Sequence, residues 1–281
     1  MQIVHSLFPK FFGHLDVRGL AAAVRAAGLD TADLVIRKGY WVTGEDLARE
    51  VPAFVKALAA EGLKVHFATA GFAAAEVVAD PAKVKVLADS GLTDFRLGYF
   101  GRFGKDEPDL RAALGHARED LERLAAVLEK IGIRAVYQVH HGTLVPGPSG
   151  IYHLMKGLPS RVLGVMLDPG NQAFEGYEDW DRSARLLGDY LAAVGVKDTA
   201  VSRDPARAGE PDKGWKRDWA PCDEGVTNWA KLARALKAAD FGGTFNWQPF
   251  YNEKEPEVLQ RKLKREVAYI RNILASAGGA T

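Results

Sequence analysis

Eight short, largely apolar runs, each followed by a segment of helical character, constrain this chain more than any other feature. The runs fall at 3–8, 34–37, 64–69, 94–99, 134–139, 162–168, 190–196 and 243–247. Runs of this length and character read as strands buried on both faces, as in a parallel sheet. Between and after them lie helical stretches at 15–27, 43–61, 73–90, 108–131, 151–157, 180–187, 225–239 and 255–275. The third is broken at Asp80-Pro81, several end at glycine, and Thr43 with Asp46 reads as the cap of the second. Parallel neighbours need crossovers of this size. The economical α/β arrangement is therefore a single (β/α)8 TIM barrel spanning 1–281, closed so that no sheet edge remains. An open doubly wound sheet is the competitor, and it lacks a Gly-x-Gly-x-x-Gly after the first strand. One connection is out of scale. The loop Thr199–Glu224, after the seventh strand, carries Trp215 and Trp219, whose rings need something to bury against.

Composition narrows the partners. A formal charge of +1 gives no attraction to nucleic acid or an anionic membrane surface. The single cysteine, Cys222, excludes an intrachain disulfide and a multi-cysteine metal cluster. No apolar run approaches the ~20 residues that span a bilayer, and the first residues lack a basic region followed by an apolar core. The expectation is a cytoplasmic protein acting on a small molecule, and an oligomer is compatible with it.

The C-terminal ends of the strands are where such folds place their chemistry. The sixth run, Val-Leu-Gly-Val-Met-Leu, stops at Asp168-Pro169-Gly170-Asn171, so a carboxylate emerges where a buried strand ends. Alternation along a strand pairs Gln138 with His140, Gly195 with Lys197, and Asn246 with Gln248 on common faces. Of the adjacent His140 and His141, only one faces the mouth, and His140 is the candidate. His66, Arg96, Trp41 and His5 are offered by the first four strands, although histidines at barrel ends also serve simply as satisfied core groups. The plainer alternative for Asp168, which the convergence of eight strand ends outweighs, is to cap a turn, and Lys197 is equally suited to pairing with Asp198. The glycine-rich segment Gly98–Gly104 offers backbone N–H groups to a phosphate.

The motifs Gly164-Val-Met-Leu-Asp-Pro-Gly-Asn171 and Gly195-Val-Lys-Asp198, and Gly225 followed by Trp229, resemble the xylose isomerase-like barrels. That group includes sugar phosphate isomerases and epimerases, inosose dehydratases and relatives of endonuclease IV. The resemblance implies carbohydrate metabolism and one divalent metal, often Mn²⁺. Its ligands would be a glutamate after strand five, an aspartate after strand six, a histidine after strand seven and a glutamate after strand eight. Here only Asp168 matches, and Gln138, Gly195 and Gln248 stand at the other three positions. An amide carries no charge and is no base near neutral pH. The resemblance thus leaves either no metal or one Mn or Zn ion held weakly by Asp168 and His140.

Two readings follow. In the first, the chain is an isomerase, epimerase or dehydratase that moves a proton next to a carbonyl of a sugar or cyclitol. Asp168 then acts as base or hydroxyl binder, His140 transfers the proton and Lys197 polarises the carbonyl. Gln138, Asn171, Gln248, His66, Arg96, Trp41 and Trp215 hold the substrate. In the second, the barrel is a catalytically inactive, metal-free sugar-binding or regulatory protein. A nuclease lacks its metal cluster here, and an aldolase would use Lys197 as a Schiff base.

Overall fold

A computed structural model describes residues 2–101, 109–176 and 178–278. The chain runs β1 (Val4–Leu7), α1 (Val17–Ala27), β2 (Thr31–Ala32), β3 (Leu34–Val35), α2 (Leu47–Ala60), β4 (Phe67–Thr69). It continues through α3 (Ala74–Ala79), α4 (Ala82–Asp89), β5 (Asp94–Arg96), α5 (Leu110–Ile131), β6 (Arg134–Gln138), α6 (Pro148–Met155) and β7 (Leu163–Leu167). Then come α7 (Pro169–Glu175), α8 (Trp180–Leu187), β8 (Leu191–Val196), β9 (Asp198–Arg203), β10 (Trp215–Ala220), α9 (Trp229–Ala238), β11 (Thr244–Trp247) and α10 (Pro256–Gly278). Part of the glycine-rich segment (102–104) and the last residues (279–281) lie outside the described residues.

The main sheet has the order β2-β1-β11-β8-β7-β6-β5-β4-β3, with every neighbouring pair parallel. Because β2 and β3 flank the single residue Asp33, they are two halves of one barrel position, and the order closes on itself. The result is the expected TIM-barrel arrangement of eight positions, in which β6, β7, β8 and β11 are the fifth to eighth. Strand β7 is buried at every residue, as a strand between a barrel interior and a helix layer must be. Phe67, Val136, Met166, Ala192 and Ala193 form a cluster separate from the larger core between strands and helices.

Local signals explain most boundaries. Asp16 caps α1 by accepting from the Gly19 N–H, and Gly28, at φ 76°, ends it. The cap of α2 differs from expectation. Asp46 caps it by accepting from Arg49 N, whereas Thr43 donates through both its N–H and its hydroxyl to Glu50 and braces the preceding loop.

The long connection after the seventh barrel strand is a two-stranded antiparallel ribbon, β9 against β10, with Trp219 opposite Thr199 at its base and Trp215 opposite Arg203 toward its tip. Its base is fixed by Asp198, which is fully buried and accepts from Thr199 N, from Thr227 N and Oγ1, and from Trp229 Nε1 at 2.8 Å. Gly225 must lack a side chain, because a Cβ there would lie 2.0 Å from the Asp198 carboxyl carbon.

Asp198→Ala should therefore lower stability by about 2–4 kcal/mol, since each buried donor left without an acceptor costs about 1–3 kcal/mol. Gly225→Ala should also destabilise, through collision with the carboxylate. Urea unfolding midpoints check both, and unchanged midpoints would show that Asp198 does not anchor the ribbon.

Candidate functional site

The C-terminal ends of the barrel strands open into a hollow of about 210 Å³ that is continuous with solvent. Its floor is amide. Gln138 at the end of β6, Asn246 on β11 and Gln248 just beyond β11 all line it. Gln138 Nε2 donates to Gln248 Oε1 at 3.3 Å, and Gln248 Nε2 donates to Asn246 Oδ1 at 2.8 Å. One wall holds Arg96 and Tyr99. Arg96 Nη1 donates to Tyr99 Oη at 2.9 Å and to Gln138 Oε1 at 3.2 Å. Phe8, Trp219 and Phe250 supply aromatic faces, with Trp219 and Phe250 centroids 5.8 Å apart. Lys10, Arg37, Thr69, His140 and Lys197 complete the lining.

Asp168 lies beneath this floor and is fully buried. Oδ1 accepts from Asn171 N at 2.9 Å, which also makes Asp168 the N-cap of α7. Oδ2 accepts from Gln138 Nε2 and lies 3.2 Å from Lys197 Nζ. Burial pushes the Asp168 carboxyl up and the Lys197 ammonium down, while each charge pulls the other back. Lys197 Nζ also sits 4.7 Å from the Trp219 ring centroid and 5.0 Å from that of Phe250. The lysine therefore pairs with Asp168, not with Asp198, whose partners are neutral groups.

A second buried carboxyl, Asp33, occupies the break between β2 and β3. It accepts from Ser6 Oγ and from Asn246 Nδ2, each at 2.5 Å, and from Thr69 Oγ1 at 2.9 Å. Burial pushes it up to about 6 against those hydrogen bonds. Asp33, Asn246, Gln248, Gln138, Asp168 and Lys197 thus form one continuous chain of polar contacts across the barrel.

His140 faces the hollow as a neutral ring. Burial is the main cause of its pKa falling to about 3, and the charges of Lys197 and Arg96 add to it. Its Nδ1 lies 2.7 Å from the His141 carbonyl, so Nδ1 carries the hydrogen and Nε2 the lone pair. His141 turns away, with Nδ1 3.0 Å from Asn171 Oδ1 and its ring stacked on Phe174.

Gln138, His140, Lys197, Gln248 and Arg96 thus come together at the hollow, and Asp168 and Asn171 sit under it. Four of the candidates lie elsewhere. His66 precedes β4 at the opposite end of the barrel, where its carbonyl accepts from Thr93 and Asp94 N–H groups. Trp41 donates to the Leu15 carbonyl at 3.0 Å and packs on Phe54. Trp215 is 50% exposed toward the tip of the ribbon, and Trp219 takes the place at the hollow. His5 lies at the opposite end, near Asp30 and Arg271, with Trp247 Nε1 3.2 Å from its Nδ1, and burial lowers it to about 4. Sequence reasoning missed Phe8, Lys10, Arg37, Thr69, Phe250 and Asp33. Treating the last residue of each apolar run and the few that follow it as candidates would have found all but Asp33.

A closed parallel barrel with polar side chains gathered in a hollow at the C-terminal strand ends defines a TIM-barrel protein. The chain belongs to the xylose isomerase-like TIM barrel family, whose model matches residues 21–272. Among solved structures it is similar to a xylose isomerase domain protein from Alicyclobacillus acidocaldarius, with TM-score 0.74, 15% identity, and 99% of this chain and 100% of that one covered. A xylose isomerase-like barrel protein from Mycobacterium smegmatis, solved with magnesium, gives 0.68 at 18% identity over 98% and 97%. The 3-keto-D-glucoside 4-epimerase of E. coli gives 0.69 at 14% identity over 97% and 99%. No curated protein matches the chain significantly. Among the described residues, no helix is long and apolar enough to cross a membrane.

The residues present do not fit a catalytic divalent metal. Among the described residues no group of three His, Cys, Asp or Glu side chains is placed to hold one. Asp168 already has Lys197 as counter-charge. A Cβ at Gly195, where the resemblance looks for a histidine, would lie 2.8 Å from Asp168 Oδ2 and 3.1 Å from Gln248 Nε2. The space a ligand side chain would need is filled by the Asp168 and Gln248 side chains.

Breaking the buried pair from one side should be expensive. Lys197→Met should lose about 3–5 kcal/mol, and the double variant Asp168→Asn/Lys197→Met should recover much of it. A double-mutant cycle of unfolding free energies tests this, and additive losses would show that the two charges do not interact.

Asp33 gives a pH prediction. Its folded pKa, about 6, exceeds its unfolded value near 3.8, so the folded state binds the extra proton between them. Its contribution to stability should fall as pH rises from about 4 to 6, by roughly 3 kcal/mol at about 1.4 kcal/mol per unit. Unfolding of wild type and Asp33→Asn across that range should diverge with this sign. Parallel pH profiles would contradict the assignment.

Proposed function

We propose that this barrel binds a polyhydroxylated small molecule, a sugar or cyclitol, without a metal, and acts as a sugar-binding or regulatory member of its family. The observation that carries this reading is the chemistry of the lining. Amides of Gln138, Asn246 and Gln248 and the hydroxyls of Thr69 and Tyr99 suit hydroxyl groups, and the rings of Trp219, Phe250 and Phe8 suit the apolar face of a sugar. A proton-abstracting base is the weak point. Among the described residues no carboxylate lines the hollow, Asp168 is shielded by its own hydrogen bonds, and His140 is a poor base at a pKa of about 3. The named relatives that act on sugars support the ligand class, as in the 3-keto-D-glucoside 4-epimerase and a D-psicose 3-epimerase solved with D-fructose.

The isomerase reading keeps one supporting observation: Lys197 lines the hollow, where an ammonium can polarise a bound carbonyl. Solvent deuterium exchange separates the two. Binding of ketoses or cyclitols, read by calorimetry and Trp219 fluorescence, is expected without deuterium uptake at carbon. Gln248→Ala is expected to weaken binding about 5- to 100-fold through lost hydrogen bonds. Catalytic deuterium incorporation abolished by Lys197→Met would replace this reading with the enzymatic one.

A further inference from the structure

The charge balance of the hollow says more about the ligand than its shape does. Four cations line it, Lys10, Arg37, Arg96 and Lys197. Among the described residues no carboxylate lines it; Asp168 and Asp33 are buried beside it, and of the two only Asp168 forms an ion pair. Among the described residues Lys10, Arg37 and Arg96 make no ion pair with any carboxylate. Arg96 donates to neutral oxygens of Tyr99 and Gln138, and its Nε is buried without a hydrogen-bond partner. Lys10 has aromatic faces instead of an anion, with Nζ 4.6 Å from the Phe250 centroid and 5.5 Å from that of Phe11. Arg37 rests over Tyr40.

These cations feel one another. Burial lowers the Lys10 ammonium, and the charges of Arg37 and Arg96 lower it further. The same Arg96 and Lys10 charges act on Lys197. Elsewhere on the molecule basic side chains commonly stand beside carboxylates, as in Arg134–Asp94 and Lys231–Asp179. Like charges gathered in a partly dry cleft repel one another until an anion enters, and such clefts draw anionic ligands in.

We infer that the ligand is an anion, a sugar or polyol carrying a carboxylate or phosphate group, with its oxyanion held by Lys10, Arg37 and Arg96 and its hydroxyls on the amide floor. This rests on the binding reading above and specifies its ligand. Guanidinium groups match planar carboxylate and phosphate oxygens through paired N–H donors, and the two arginines flank the opening from β3 and β5. Trp219 and Phe250 stand by to cover the carbon skeleton.

The test compares matched skeletons on the intact protein by calorimetry at low ionic strength. D-gluconate, D-glucuronate and D-fructose 6-phosphate are set against D-glucose and D-fructose. Anionic members are expected to bind at least about tenfold more tightly than neutral ones, an advantage that shrinks in 1 M salt, where screening acts within about 3 Å. Whether the carboxylates or the phosphate bind tighter identifies the group. Arg37→Gln, at an exposed position, and Lys10→Gln should each weaken the anionic members by more than the neutral ones, eroding the anionic advantage. If neutral sugars bind as well as anionic ones, this inference is overturned and the binding reading stands. If anions bind but neither variant weakens them, the site is wrongly placed and the inference is again overturned. If no member binds, both readings fall.

Discussion

The buried contact between Asp168 and Lys197 organises this site. A carboxylate removed from water demands a counter-charge, and here that charge is part of the chain, 3.2 Å away. Once the pair forms, much of the rest is dictated. Gln138 turns its amide nitrogen onto the carboxylate, which leaves its oxygen for Arg96 and Tyr99. Gln248 follows Gln138, and Asn246 follows Gln248, handing the network on to Asp33. Gly195 stays small because the carboxylate occupies the space above it. The residues that depart from the ligand pattern the resemblance implies are therefore mutually consistent: two amides and a glycine fit one another around the pair that Asp168 makes with Lys197.

The barrel was legible because parallel strands must be apolar on both faces, and such runs stand out against helical spacing. The strand ends were legible for the same reason, since polar residues following a buried run have to emerge at the rim. Asp33 escaped because its neighbours continue the apolar pattern on either side and strand alternation gives no warning of an acid at the break. The ribbon β9–β10 escaped for another reason. Both of its faces meet water over most of its length, so the two-residue hydrophobic period that marks a strand is missing. Trp215 and Trp219 looked equivalent in the sequence, and only the pairing register shows that one stands toward the tip and the other at the base.

Ligand chemistry was less legible still. Lys10, Arg37 and Arg96 come from three different barrel units, and nothing in their sequence spacing brings them together. A whole-chain charge of +1 conceals them, because that sum takes in acids from every part of the fold. Local excess charge arises from the fold.

The most direct measurement of the central claim is Mn²⁺ binding to the purified protein, followed by electron paramagnetic resonance of the free ion. With Lys197 neutralising Asp168 and amides at the flanking positions, all of the Mn²⁺ is expected to remain free when mixed in equal amount with the chain. One tightly held ion per chain, lost in Asp168→Asn, would contradict the account.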